Sequence, residues 1–292
     1  MKVGFVAILG KPNVGKSTLL NALISKKVSI VSPKAQTTRD SISGIYNDSK
    51  RQIVFIDTPG IFSSSVKIDR YMRKVAFESS DDVNAIVYVL DASAKSLDED
   101  FATIDSIKSN APKIFVLNKI DLVRPAVGKK ILEQMKERYP EDDIIEACFI
   151  ENFGLKELKN LLDQYLEEGN PYYQEGYYTD KDLAFQAKEV IREKLLHFLK
   201  QEIPHQSAVL IEKFEEKDGA YVIKAKLIVN RESHKGIVIG KNGEMIKKIS
   251  MAARHELERM WHTHIASLEI EVEAVPDWRN NSKILNSLGY EI

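Results

Sequence analysis

The sequence predicts two domains in series. An α/β domain with a mostly parallel sheet spans residues 1–167, and a smaller α+β domain spans residues 181–292. Three observations carry this. The apolar run Val3–Leu9 leads into Gly10-Lys11-Pro12-Asn13-Val14-Gly15-Lys16-Ser17, and Thr18–Ile24 follows with apolar residues at helical spacing. Strand-length and helix-length apolar patterns then alternate to about residue 167. Beyond a stretch rich in tyrosine and glycine, the order changes to helix, strand, strand, helix, helix, strand.

In the first domain Val3–Leu9 is a strand and Lys16–Ser25 a helix. Ser41–Asn47 and Gln52–Ile56 are strands joined by the polar turn Asp48-Ser49-Lys50. Ala85–Leu90 and Lys113–Leu117 are continuously apolar, as strands covered on both faces are. Helices are expected at Asp98–Ser109, Ala126–Arg138 and Leu155–Glu167, with a short strand at Asp143–Phe149. Residues 168–180 hold Gly169, Pro171, Gly176 and four tyrosines without periodicity, which suggests a linker whose tyrosines pack between domains. In the second domain Thr179 or Asp180 caps a helix running to about Gln201. Strands follow at Ala208–Phe214 and Tyr221–Val229, helices at Ser233–Ile239 and Glu244–Trp261, and a last strand at Ser267–Val275.

Composition narrows the class. The chain has 292 residues, 43% of them hydrophobic and 29% charged, which is the balance of a globular protein. Its formal net charge of −1 excludes a global basic field, so a nucleic-acid site has to be a local patch. The single Cys148 cannot form an internal disulfide and fits a reducing cytoplasm. No apolar run approaches bilayer length, and the phosphate loop interrupts the N-terminal run too early for a signal peptide.

The motif Gly10–Ser17 fits G-x-x-x-x-G-K-[ST] in the strand–loop–helix context that makes it a phosphate-binding loop. Its backbone N–H groups and the helix N-terminus converge on an anion. Lys16 would reach the β- and γ-phosphates, the Ser17 hydroxyl would ligate Mg²⁺, and Thr18 beside it is counted with the nucleotide-binding residues. Asp57-Thr58-Pro59-Gly60 ends the next strand; an Asp there can hold Mg²⁺ through water, and the Gly60 N–H can meet a γ-phosphate. Asn118-Lys119-Ile120-Asp121 ends another strand. The Asp121 carboxylate can accept from the ring N–H and amino group of guanine, donors that adenine lacks.

These motifs, with Ala35-Gln36-Thr37-Thr38-Arg39, resemble a translation-factor-type GTPase, and more closely the Era family of bacterial ribosome-assembly GTPases. The resemblance implies a P-loop GTPase domain that binds GTP or GDP with Mg²⁺. It places Thr37-Thr38 in the first switch loop, with Thr38 joining Ser17 and Asp57 at Mg²⁺ and Thr37 the one-residue alternative. Glu146-Ala147 takes the place of the last nucleotide loop, so that the Ala147 N–H meets the guanine oxygen. Ile61, next to Gly60, is counted with the nucleotide-binding residues, yet it and Phe62 stand where many GTPases place a glutamine, and neither can orient a water. Lys16, Thr38 and Gly60 then carry the charge stabilisation. Asn13 resembles the asparagine that ligates K⁺ in K⁺-stimulated GTPases, and equally suits a plain turn.

In the second domain Gly240-Lys241-Asn242-Gly243 lies between two helices, and the α-β-β-α-α-β order resembles a KH-type RNA-binding domain of the bacterial arrangement. The glycines permit close approach to a single-stranded phosphate backbone, with Lys235, Lys241, Lys247 and Lys248 as phosphate partners. From Lys224 to Arg259 nine Lys or Arg face four Asp or Glu, an excess of five that a neutral helix face does not explain. His255, His262 and His264 have no ligand spacing, and Glu269, Glu271 and Glu273 alternate on one strand face. The Era resemblance runs on through Ile191–Leu195, Glu202–His205, Asp277-Trp278-Arg279 and Leu288-Gly289-Tyr290.

It implies a slow, partner-stimulated GTPase that binds the 3′ end of 16S ribosomal RNA and assists small-subunit maturation. A monomer is expected, in the cytoplasm, with peripheral association at the inner face of the cell membrane. GTP would order Gln36–Arg39 and Asp57–Ser65, and hydrolysis would release them. Two other classes remain open on the residues: a non-catalytic RNA scaffold that senses guanine nucleotide, and a tRNA-modification GTPase. The lone Cys148 gives the latter little support.

Overall fold

β1 (Lys2–Leu9) is the centre of the first sheet because it can be buried on both faces: Val6, Ala7, Ile8 and Leu9 are fully covered. The computed structural model describes every residue except Pro33, Ala35, Gln36, Ser63, Glu291 and Ile292. The expected ordering of Gln36 and Ser63 therefore lies outside the described residues.

After β1 come α1 (Lys16–Ile24), the hairpin β2 (Ile42–Asn47) and β3 (Arg51–Asp57), α2 (Lys67–Glu78), β4 (Ala85–Asp91), α3 (Asp98–Asp105), β5 (Lys113–Asn118), α4 (Pro125–Arg138), β6 (Asp143–Glu146), α5 (Leu155–Leu162) and β7 (Glu167–Glu168). The strand order is β2-β3-β1-β4-β5-β6, with β7 pairing antiparallel to the start of β1. All the pairings from β3 to β6 are parallel, and β2 adds one antiparallel edge. The Asp48 carboxylate accepts from the N–H groups of Lys50 and Arg51 and closes the β2–β3 turn.

Ala7, Leu9, Tyr88, Phe115 and Leu117 pack with Ala76 of α2, Phe101 of α3 and Met135 of α4 on one face. Val6 and Ile8 point the other way and are equally buried, so the sheet is covered twice. α1 and α5 bury Leu19, Leu20, Leu23, Leu155, Leu158 and Leu162.

Two differences from expectation have simple causes. α2 was not anticipated, because its many charges dilute the apolar row Ile68, Met72 and Ala76. Residues 168–180, expected as a linker with tyrosines between domains, run along the first sheet instead. Tyr172 packs on Phe5 at 4.7 Å, Gln52 bonds the backbone of Tyr172 and Tyr173, and the Ile45 N–H donates to Tyr178 O.

Two compact units result: Met1–Val31, Thr38–Ser63 and Met72–Asp180 in one, and Ser32–Thr37, Ser64–Tyr71 and Lys181–Ile292 in the other. The second contains α6 (Leu183–Phe198), β8 (Ser207–Lys217), β9 (Ala220–Val229), α7 (Glu232–Ile239), α8 (Glu244–Trp261), β10 (His264–Ala274) and α9 (Ser282–Ser287). α6 begins at Asp182, whose carboxylate caps the Phe185 N–H, rather than at Thr179 or Asp180. β9 pairs antiparallel with β8 and parallel with β10.

Ala187, Val190, Ile191 and Leu195 of α6 join Ile249, Ala253 and Leu257 of α8 on this sheet. A second cluster gathers Ile68, Trp278, Leu285 and Tyr290. There the Trp278 ring N–H donates to Gln206 O, and Arg279 pairs with the buried Asp69 at 2.6 Å. The Arg192 guanidinium pairs with Glu189 and donates to the Thr37 carbonyl, and the Lys34 ammonium donates to the Leu196 and Leu199 carbonyls at the end of α6.

Candidate nucleotide-binding site

Parallel strands leave their carboxyl ends on one edge, and ligands bind there. β1 delivers Gly10–Ser17 to that edge, β3 delivers Asp57–Gly60, and β5 delivers Asn118–Asp121. Gly10 and Gly15 hold φ of 142° and 108°, which side chains rarely adopt, and Asn13 holds a left-handed φ of 65°. The Asn13 backbone thus has its own reason for the residue type. Val14 is buried, and Thr18 occupies the first turn of α1.

Lys16 is buried, with its ammonium donating to the carbonyls of Gly10 (3.0 Å) and Lys11 (2.8 Å). Burial lowers it from 10.5 to about 8, against the opposing pull of Asp57 and Asp100. The Ser17 hydroxyl donates to Asp57 Oδ2 at 2.6 Å and lies 2.9 Å from the Thr38 hydroxyl. Thr37 is turned elsewhere, donating to Lys34 O at 2.6 Å.

Asp57 is fully buried. Its Oδ2 receives Ser17 and Ser29, and its Oδ1 has no partner. Burial raises its carboxyl although Ser17 and Lys16 oppose this. A buried carboxylate oxygen without a donor, beside two hydroxyl oxygens, is a donor set that fits a hard divalent cation. Among the described residues no group of three His, Cys, Asp or Glu is arranged to hold a metal.

Ser29 escaped sequence reading. It is placed by Asn21 of α1, whose side chain receives the Val28 and Ser29 N–H groups and donates to Ser29 O. The available signal was one polar residue inside the apolar pattern of α1.

Thr58 is buried and donates to Ile8 O, and Pro59 is covered. Gly60 sits so close to the phosphate loop that a Cβ would lie 2.6 Å from Pro12 N. Ile61 was expected among the nucleotide-binding residues. Its side chain is instead part of the sheet core, while its backbone N–H donates to Gly10 O and ties this segment to the loop.

On the base side, Asn118 is buried. Its amide donates to Val14 O and receives the Phe149 N–H, while the Lys119 ammonium reaches Asn13 O and Asp91. Ile120 packs into the core and Asp121 is exposed. Ala147 overturns an expectation: its N–H is spent on Leu117 O at 2.9 Å as a ladder bond of the sheet, so it cannot meet a base. The loop that faces Asp121 begins one residue later. The Cys148 thiol donates to Asp121 Oδ1 at 3.2 Å, and burial together with Asp121 pushes that thiol up, keeping it a donor.

In the second unit, α7 ends at Gly240 and α8 starts after Gly243. Gly240 (φ 75°), Asn242 (φ 52°) and Gly243 (φ 78°) shape the turn, and a Cβ on Gly240 would meet Met245 at 2.8 Å. Lys241, Asn242 and Lys247 are exposed and Lys235 is half-buried. The basic excess is narrower than the sequence count. Lys224 and Lys226 pair with Glu212, Glu271 and Glu273, Arg254 with Glu258, Arg259 with Glu256, and Lys248 lies over the Phe198 ring. Lys235, Lys241 and Lys247 have no ion pair among the described residues, and they flank the loop.

A parallel sheet presenting a phosphate loop and a guanine-type Asn-Lys-x-Asp loop, followed by an α-β-β-α-α-β unit with a G-x-x-G turn, defines a P-loop GTPase domain joined to a KH domain. The comparisons agree. The family described as 50S ribosome-binding GTPase matches residues 5–119, and the KH domain family matches residues 202–279. GTPase Era of Thermoanaerobacter sp. strain X514 is 40% identical over 294 residues, spanning 100% of this chain and 97% of the relative. GTPase Era of Borreliella burgdorferi is 40% identical over 290 residues, with 99% of each covered.

Among solved structures, a point variant of Aquifex aeolicus Era bound to GDP·AlF4⁻ superposes with a TM-score of 0.95 at 37% identity, with 100% of both chains covered. An Era complex with MgGDPNP and nucleotides 1506–1542 of 16S ribosomal RNA gives 0.95 at 38% identity, also over 100% of both. The chain belongs to the Era family of GTPases.

Proposed function

We propose that this GTPase is a nucleotide-driven switch that binds the 3′ end of 16S ribosomal RNA and assists small-subunit maturation, working as a monomer in the cytoplasm. The observation that carries the nucleotide half is the buried Asp57 with its unpartnered Oδ1 beside Ser17 and Thr38. Mg²⁺ held there would offset charge between the β- and γ-phosphates. Lys16 already has its ammonium aimed within the loop, and a bound phosphate replaces the two carbonyls as its partner. The Gly60 N–H, pressed against the loop, faces the γ-phosphate position. No side chain at 61 orients water, so hydrolysis is slow without help. Asn13 would hold K⁺ beside the phosphates. Asn118 fixes the phosphate loop to the base loop, and Asp121, steadied by the Cys148 thiol, reads guanine.

The RNA half is supported by the Gly240–Gly243 turn, with Lys241 and Asn242 exposed at its tip and Lys235 and Lys247 beside it, and by the Era complex with the 16S fragment. These lysines also suit an anionic membrane surface; protein that stays at the bottom of a flotation gradient with anionic vesicles contradicts that association. Steady-state GTP turnover in K⁺ and in Na⁺ tests the cation. Faster turnover in K⁺ is expected, and equal rates would remove Asn13 from that role.

A further inference from the structure

Asp100 has no part in the chemistry above, yet its position demands explanation. It is a carboxylate with 1% of its side chain exposed, close to a loop shaped to receive the negative charge of phosphates. Burying an anion near an anion site costs binding unless a cation and hydrogen bonds offset it. Both are present. Asp100 is in the first turn of α3, its Oδ2 lies 3.0 Å from Lys11 Nζ, and its Oδ1 receives the Tyr88 hydroxyl from β4 at 3.3 Å. Lys11 is the second residue of the phosphate loop. Its ammonium also meets the exposed Glu99 at 3.3 Å. Burial pushes the Asp100 carboxyl up, and Lys11 opposes that. On the lysine, the two carboxylates outweigh the cost of burial and hold its ammonium above its ordinary value.

The consequence runs through the Lys11 backbone. Its carbonyl receives the Lys16 ammonium at 2.8 Å, the shorter of the two bonds that place that group. One residue is thus gripped at its side chain by α3 and at its carbonyl by the phosphate-binding lysine. We propose that Asp100 is a positioning residue for the phosphate loop: acting through Lys11, it fixes the carbonyl against which Lys16 is set. Nucleotide affinity then depends on a carboxylate that touches no nucleotide. The inference rests on the GTP-binding reading of the loop.

The test uses the full chain. GDP affinity and single-turnover GTP hydrolysis are measured for the wild type, Asp100→Asn, Glu99→Gln, Lys11→Met, Lys11→Arg and the double variant Lys11→Met/Asp100→Leu, with thermal melts for each. Asp100→Asn and Lys11→Met are each expected to weaken GDP binding about tenfold. The double variant should be no worse than either alone, because both act on one link and an apolar pair leaves no buried charge without a partner. Lys11→Arg, which can still bridge to Asp100, should lose less than Lys11→Met. Glu99→Gln should stay within about twofold, as expected of an exposed pair.

Losses that multiply in the double variant would overturn the link, as would Asp100→Asn binding GDP like the wild type, or a lowered melting temperature with unchanged affinity. If Asp100→Asn does not fold, Lys11→Met against the double variant decides the same question. A wild type that fails to bind GDP would overturn the nucleotide reading, and this inference with it.

Discussion

A Cβ on Gly60 would come within 2.6 Å of the phosphate-loop backbone, whereas a Cβ on Gly243 would meet nothing within 4 Å. The two glycines belong to two kinds of site. Around the phosphate loop, Lys16, Asp57, Asn118 and Asp100 are buried and each is bonded to a residue of the loop, so charges are fixed before nucleotide arrives. Around Gly240–Gly243 the lysines are mostly exposed and the turn is shaped by its backbone, with no buried charge at its centre. The first arrangement suits transition-state stabilisation, where reorganisation is costly. The second suits a flexible polyanion that has to enter and leave, with salt-dependent affinity.

The comparison can be broken at several points. Lys16→Ala removes the charge that the loop is built around, and hydrolysis should fall by about 10³-fold in single-turnover assays. Retained hydrolysis would move catalysis elsewhere. Asp121→Asn should shift preference from guanosine toward xanthosine nucleotides by about 10²-fold in competition binding, since the amide offers a donor where the carboxylate only accepted. Unchanged GTP preference would refute the base pocket. Gly60→Ala should slow hydrolysis by tens of fold, because its new methyl meets backbone that cannot give way; a mild effect would mean that the loop yields.

The effect of pH follows from Lys16. In the free protein burial lowers it from 10.5 to about 8, so above pH 8 nucleotide binding has to take up a proton. GDP affinity should drop about fivefold from pH 8 to pH 9 and be flat below pH 7. A flat profile across both ranges would mean that Lys16 stays charged unaided. The smallest effect sharpens the other side. Gly243→Asp puts a negative charge on an open turn and should weaken RNA binding about fivefold at low salt, with the small loss of melting temperature that a side chain at φ 78° entails.

Most of the nucleotide site was legible because its motifs are local: the phosphate loop, Asp57–Gly60 and Asn118–Asp121 each occupy a strand end, and chain order alone places them on one edge. What was not legible depends on tertiary register. Ala147 looked free to meet the base, but a ladder bond of β6 to β5 consumes its N–H and moves that loop to Cys148 and Phe149. Ile61 looked like a site residue by position and proved to be core. Ser29 and Asp100 lie far in sequence from the motifs they serve, and only packing brings them in. In the second unit the element order was readable, while the basic patch was overstated, because the Glu212, Glu271 and Glu273 that neutralise Lys224 and Lys226 lie on neighbouring strands outside the stretch that was counted.

The most direct test of the switch is a titration of the full chain with a labelled single-stranded oligonucleotide matching the 3′ end of 16S ribosomal RNA, beside a scrambled control, with GDP and then with a non-hydrolysable GTP analogue. Tighter, sequence-selective binding in the GTP-analogue state is the predicted result. Binding that ignores both sequence and nucleotide would contradict it, leaving a GTPase whose second unit carries a basic turn with no message to read.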